Sequence, residues 1–135
     1  MATNVVSELH NKWDTHFEKN GSNKVWLEIC HSEGAINVRN ALMCYNPELR
    51  NMIDVLAIAP ACYIDRNLCR NIDHYVSMRD FVPWFDLKGR IRNQETVHVL
   101  SPHKNASFWD HDFKSPTYSK VIKDHIQQHI KDNGY

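Results

Sequence analysis

The run Ile29-Cys30-His31-Ser32-Glu33-Gly34-Ala35 holds the residues best placed to do chemistry. An apolar stretch that reads as a strand ends there, and a helical pattern begins, so Ser32 stands at a strand-to-helix turn. A turn that sharp strains the serine backbone, lifts Oγ clear of a sheet and asks for small neighbours, here Gly34. The helix that follows aims free N–H groups and the positive end of its dipole at the same point. Those are the requirements of a nucleophile elbow, in which a serine attacks a carbonyl and the oxyanion meets donors already in place. A serine that only caps the helix would leave the same residues in the same order.

The other reactive side chains form weaker patterns. Cys30, Cys44, Cys62 and Cys69 lie among apolar neighbours, with no C-x-x-C pair and no zinc-finger spacing. They read as reduced, buried thiols of a cytoplasmic protein. His125 and His129 stand at i,i+4 with no carboxylate between them, which favours a solvated helix face over a metal pair. Lys88, Arg90 and Arg92 alternate with Gly89 and Ile91 and read as a solvated turn. No cofactor or metal is expected.

Stepping along the chain, helices and strands alternate. Val6, Leu9, Trp13 and Phe17 recur at helical spacing over about 5–19, and Gly21 stops that helix. KVWLEIC (24–30) reads as a strand; Ile36, Val38, Leu42 and Tyr45 then mark a helix that ends before Pro47. IDVLAIAP (53–60) is apolar enough for a central strand covered on both faces. HYVSMR (74–79) and TVHVL (96–100) are further strands, and a terminal helix with a Ser-Pro start runs over about 116–132. The stretch 81–95 reads as an irregular crossover or part of a hairpin. The alternation predicts an α/β fold: a mostly parallel sheet of about four strands flanked by helices.

With 135 residues, 42% of them apolar, the chain has room for a single domain over 1–135. Sixteen basic residues balance sixteen acidic ones, so no net field draws it to nucleic acid or to an anionic membrane. No apolar run approaches the ~20 residues of a membrane helix. MATNVVSELH lacks the cationic start and apolar stretch of a secretory signal. Four glycines in all leave no G-x-G-x-x-G turn for a dinucleotide.

The elbow run resembles the G-H-S-x-G form of the α/β-hydrolase superfamily. His31, Ser32 and Gly34 match, and Cys30 stands where that family carries glycine. The resemblance implies an acid and a base in the chain order Ser, Asp, His, each in a loop at the carboxyl end of a later strand. Asp80 opens Asp80-Phe81-Val82-Pro83, similar to the D-x-V-P stretch of lipase-like members, and is the implied acid. Asp73 and Asp86 are its weaker alternatives. His111, in Trp109-Asp110-His111-Asp112-Phe113, is the implied base, with His103 as competitor and His98 left to strand packing. The backbone N–H of Glu33 is the implied oxyanion donor. More narrowly, HSEGA, DFVPWFD and DHDFKSPTY are similar to hydrolase-like proteins of chlamydiae.

What this implies is a serine esterase, thioesterase or amidase acting on a small-molecule substrate through Ser32, His111 and Asp80. The gap between Pro60 and His74 is too short for the helical lid that lipases insert there, so activation at a lipid interface is not expected. Trp84, Phe85 and Trp109 flank the acid and base, either lining an acyl pocket or packing as core. Only the carboxyl-terminal half of the family fold is covered. Members carry about four strands before the elbow strand, together with a second oxyanion donor; here the stretch before KVWLEIC holds one helix. That keeps a second function open, a non-catalytic binding module on a hydrolase scaffold. It also leaves the edge of strand 24–30 without a neighbour beside Val25 and Trp26, which predicts self-association or a companion chain.

Overall fold

In the computed structural model, which describes residues 4–134, four strands alternate with helices along the chain. The strands are β1 (Trp26–His31), β2 (Ile53–Ile58), β3 (Asn71–Ser77) and β4 (Val97–Leu100). The helices are α1 (Asn4–Asn20), α2 (Gly34–Met43), α3 (Pro47–Arg50), α4 (Leu87–Arg92) and α5 (Pro116–Asn133). The strands lie in the order β1-β2-β3-β4 and every pair is parallel. Trp26 stands opposite Ile53, Asp54 opposite Asn71, and His74 opposite Val97. All four carboxyl ends therefore share one end of the sheet, and the loops after β1, β3 and β4 open there.

Each face of the sheet has its own core. On one, Val6, Trp13 and Phe17 of α1 and Val38 and Leu42 of α2 pack on Cys30, Ile53, Val55, Ala57 and Ile72. On the other, Tyr118, Val121 and Ile122 of α5 pack on Leu27, Ile29, Leu56, Ile58, Tyr75 and Leu100. Alternate residues of each strand point to opposite faces, so β2, paired on both sides, is buried almost throughout. Local chemistry sets the helix ends. Gly21, at φ +60°, turns the chain out of α1. Ser115 caps α5 by accepting the Thr117 N–H, and Pro116 fits its first turn.

Several expectations need correction. β3 begins three residues before HYVSMR and ends at Ser77, so Asp80 lies in the expected loop but further past the strand end. The stretch 81–95 is a helical crossover: 3-10 turns at Val82–Trp84 and Gln94–Thr96 flank α4. The basic run is thus a helix and not a turn. Asp86 caps it by accepting the Gly89 N–H at 3.0 Å, and a Cβ on Gly89 would lie 2.0 Å from Asp86 Oδ2. Any larger residue at 89 would displace the capping carboxylate of Asp86. Arg90 lies 4.1 Å from the centroid of the Trp84 ring, and Arg92 pairs with Asp65 at 3.4 Å, so these cations are tethered.

Cys44 is exposed, against expectation, whereas Cys30, Cys62 and Cys69 are buried; all four are free thiols. Burial pushes the Cys62 thiol up to about 11 and the Cys69 thiol up to about 12, so both stay protonated. β1 is an edge strand as the sequence implies, but Val25 is buried and donates its N–H to Asn133 Oδ1 at 2.8 Å. Trp26 and Ser32 both donate toward β2, to Met52 O and Ile58 O. By alternation the N–H groups of Leu27, Ile29 and His31 point outward, where no strand among the described residues pairs with them. No helix among the described residues is long and apolar enough to cross a membrane.

Candidate active site

Ser32 follows β1 directly and has a φ of +54°, a left-handed conformation that costs a non-glycine residue about 1–3 kcal/mol. The surroundings hold it there. Its N–H donates to Ile58 O at 3.2 Å, and its carbonyl accepts from Ala35 N–H at 3.2 Å and Ala61 N–H at 3.0 Å. The serine is therefore fixed by β2, by the turn after β2 and by the start of α2, while α2 proper begins at Gly34. A Cβ on Gly34 would meet Cys30 Cβ at 3.7 Å, an ordinary contact. The sheet thus has room for cysteine at position 30, and the demand for a small residue at 34 is soft.

His111 and Asp80 come to this point from two other loops. Ser32 Oγ lies 2.8 Å from His111 Nε2, and His111 Nδ1 lies 2.6 Å from Asp80 Oδ2. The carboxylate can only accept, so Nδ1 carries the ring proton and Nε2 is left to accept the Ser32 hydroxyl proton. Asp80 Oδ1 accepts the Val82 N–H at 3.0 Å, which fixes the carboxylate plane. The Asp80 side chain is 1% exposed and that of His111 29%, so the carboxylate is buried while the imidazole edge remains reachable. Glu33, the next residue after Ser32, is exposed at the amino end of α2, and no acceptor among the described residues takes its backbone N–H. That donor is free for an oxyanion.

The alternatives are occupied elsewhere. Asp86 accepts from Tyr63 N–H and Gly89 N–H, and Asp73 pairs with His98 at 2.9 Å. His98 also stacks on Tyr75, ring centroids 4.6 Å apart, as a packing residue should. His103 is exposed and closes a local turn by accepting the Asn105 N–H. His125 and His129 do not lie on a solvated face. Both are half-buried, His125 against the Tyr75 hydroxyl at 3.1 Å and His129 against the Asn133 amide at 3.2 Å. They line a polar cleft of about 460 Å³ with Asp54, Arg70 and Asn71, at the amino ends of the strands and opposite Ser32. Among the described residues no group of three His, Cys, Asp or Glu side chains could hold a metal.

Two neighbours of this site take roles that the sequence did not assign. His31 donates from Nε2 to the carbonyl oxygen of His111 at 2.6 Å and so ties the elbow to the base loop. Asp110 is wholly buried and has a φ of +47°, as has Ala59 at the end of β2. Every non-glycine residue with positive φ among the described residues thus lies at the carboxyl end of the sheet. Position beside Ser32 and His111 was the available signal; the strain was invisible. Trp84, Phe85 and Trp109 are 54%, 71% and 60% exposed, so they are not core. Phe81 meets Phe85 and Trp109 edge to face, and Trp109 meets Phe108, giving a continuous aromatic rim on the loops that carry Asp80 and His111. No protein-family model, curated protein or solved structure matches the chain.

Proposed function

We propose that this chain is a serine hydrolase of the α/β-hydrolase type, acting on an ester, thioester or amide of a small molecule. The observation that carries the reading is the unbroken line from Ser32 Oγ through His111 to Asp80, starting from a serine in left-handed strain. Ser32 Oγ attacks the carbonyl carbon while His111 Nε2 takes its proton, and Asp80 steadies the imidazolium. The carbonyl oxygen becomes an oxyanion at the Glu33 N–H. The carbon–oxygen double bond re-forms and expels the leaving group, which takes the proton from His111. Water then attacks the acyl-serine, gives a proton to His111, and Ser32 leaves with it. The aromatic rim offers an apolar acyl group a surface on which to lie. The free thiols fit a reducing, cytoplasmic setting.

A fluorophosphonate probe tests this reading. Wild-type protein should be labelled on Ser32, and Ser32→Ala should lose the label while its stability stays within about 1 kcal/mol. A folded protein that takes no label would favour the non-catalytic binding module. The elbow supplies one oxyanion donor, the Glu33 N–H, and a donor of this kind is worth about 10²–10³ in rate.

The open edge of β1 adds an assembly proposal, self-association through the outward N–H groups of Leu27, Ile29 and His31. Sedimentation should show a dimer or larger species. A monomer at all concentrations would shift the expectation to a companion chain, and a monomer that is fully active would end it.

A further inference from the structure

Asp110 carries a carboxylate that is wholly buried, yet among the described residues it pairs with no cation. Its partners are three hydroxyl groups. Ser77 Oγ, Ser115 Oγ and Thr117 Oγ1 all donate to it, the last at 2.7 Å. Each hydroxyl oxygen in turn accepts a backbone N–H: Ser77 from Arg79 at 3.3 Å, Ser115 from Thr117 at 3.2 Å, and Thr117 from His103 at 3.0 Å. The bonds all run one way, from amide to hydroxyl to carboxylate. A carboxylate is the side chain suited to the centre of such a set, because it has up to four acceptor positions and no donor. Hydroxyl dipoles and the amino end of α5 offset its charge.

The three relays begin in different segments. Arg79 belongs to the loop that carries the acid, His103 to the loop after β4, and Thr117 to the first turn of α5. Ser77 also accepts the Asp80 N–H on its backbone oxygen at 3.1 Å, so one residue anchors both the acid and the Asp110 carboxylate. Asp110 itself precedes His111 and sits at φ +47°. A left-handed aspartate in a loop persists only where its surroundings over-determine it. Here the carboxylate does so from within, while His31 holds the His111 carbonyl from the other side.

We infer that Asp110 is a positioning residue, whose buried carboxylate locks the acid loop, the base loop and α5 together and so keeps His111 in line with Asp80 and Ser32. Its effect on rate rests on the serine-hydrolase reading; its effect on the His111–Asp80 hydrogen bond does not. Asparagine at this position has a single acceptor oxygen and brings two N–H donors toward hydroxyls that already donate. At least one relay must then reverse, and the left-handed turn before His111 relaxes.

The experiment follows two signals in wild-type protein and Asp110→Asn, at a temperature where circular dichroism reports both folded. One is the far-downfield proton resonance of the His111 Nδ1–H, identified by its loss in Asp80→Asn. The other is the rate of Ser32 labelling by a fluorophosphonate. The resonance should broaden or vanish in Asp110→Asn, and labelling should fall by about 100-fold, as for an ångström-scale misplacement. If Asp110→Asn does not fold, Thr117→Val removes one relay, and the resonance should still weaken with roughly a tenfold slower label. An unchanged resonance and labelling rate in a folded variant would overturn the inference and leave Asp110 a purely structural group. Wild-type protein that shows the resonance but takes no label would count against hydrolysis alone, since the resonance would still answer for Asp110.

Discussion

His74, in the interior of β3, and His111, in the loop after β4, hold the same ring tautomer. His74 Nε2 accepts the Ile64 N–H at 3.0 Å, so its Nδ1–H donates to Thr96 Oγ1, which passes on to Asn93 O. His111 Nε2 accepts from Ser32 Oγ, and its Nδ1–H donates to Asp80. The difference lies in the partners. A backbone amide keeps its proton, whereas a serine hydroxyl can give one up to form a nucleophile. Behind His74 stands a neutral hydroxyl; behind His111 stands a carboxylate that stabilises an imidazolium. Burial lowers the pKa of His74 to about 4, and its hydrogen bond to Thr96 only partly opposes that. Under the proposed function, a histidine in a well-formed network is a fold element or a base according to what stands on either side of it.

The largest expected effect lies behind His111. Asp80→Asn leaves the ring without a fixed tautomer and should lower turnover of an activated ester by about 10⁴-fold. Active-site titration alongside the kinetics would tell this from unfolding; an undiminished rate would remove Asp80 from the mechanism.

Next in size is His74. His74→Ala leaves a cavity and strands the Ile64 N–H, so urea unfolding should show a loss of about 3 kcal/mol. Labelling of Ser32 per folded molecule should not change. A pH series sharpens the point. The folded pKa lies below the unfolded one, near 6.5, so the unfolded state binds the extra proton between them. Stability from His74 is complete above about pH 6.5 and falls by roughly 3 kcal/mol as pH drops toward 4. The His74→Ala profile should lose that part of the slope; identical slopes would show His74 to be uninvolved.

Smaller effects belong to the rim and the elbow. Phe81→Ser or Trp109→Ser should raise KM for an ester with a long acyl chain several-fold, with little change for an acetyl ester and stability within about 0.5 kcal/mol. Equal changes for both esters would mean that the rim does not hold the acyl group. Gly34→Ala should shift stability by less than about 1 kcal/mol and leave labelling nearly intact, because the added Cβ meets only Cys30 Cβ at 3.7 Å. A collapse of either would show the elbow to be tighter than its contacts indicate.

Local signals in the sequence went far toward this structure. Strand-to-helix periodicity located Ser32, and the parallel order of four strands follows from the same alternation. His111 and Asp80 were pointed to by the resemblance, which implies an acid and a base in loops at strand carboxyl ends, and in the fold His111 reaches Ser32 and Asp80 reaches His111. The helix at 87–92 was not legible, since a Gly-interrupted basic run gives no periodic apolar face; its cap comes from Asp86 and its packing from Trp84 and Tyr63. Nor was Asp110. A carboxylate that gathers hydroxyls from β3 and α5 depends on contacts 33 residues apart, and no local pattern records them.

The most direct test is mass-spectrometric mapping of fluorophosphonate adducts over time in wild-type protein, Ser32→Ala and Asp80→Asn, each first shown to be folded. A single adduct on Ser32 is expected, none in Ser32→Ala, and labelling slowed by about 10⁴-fold in Asp80→Asn. No adduct in folded wild-type protein, an adduct on another serine, or equal labelling of wild type and Asp80→Asn would contradict the proposed function.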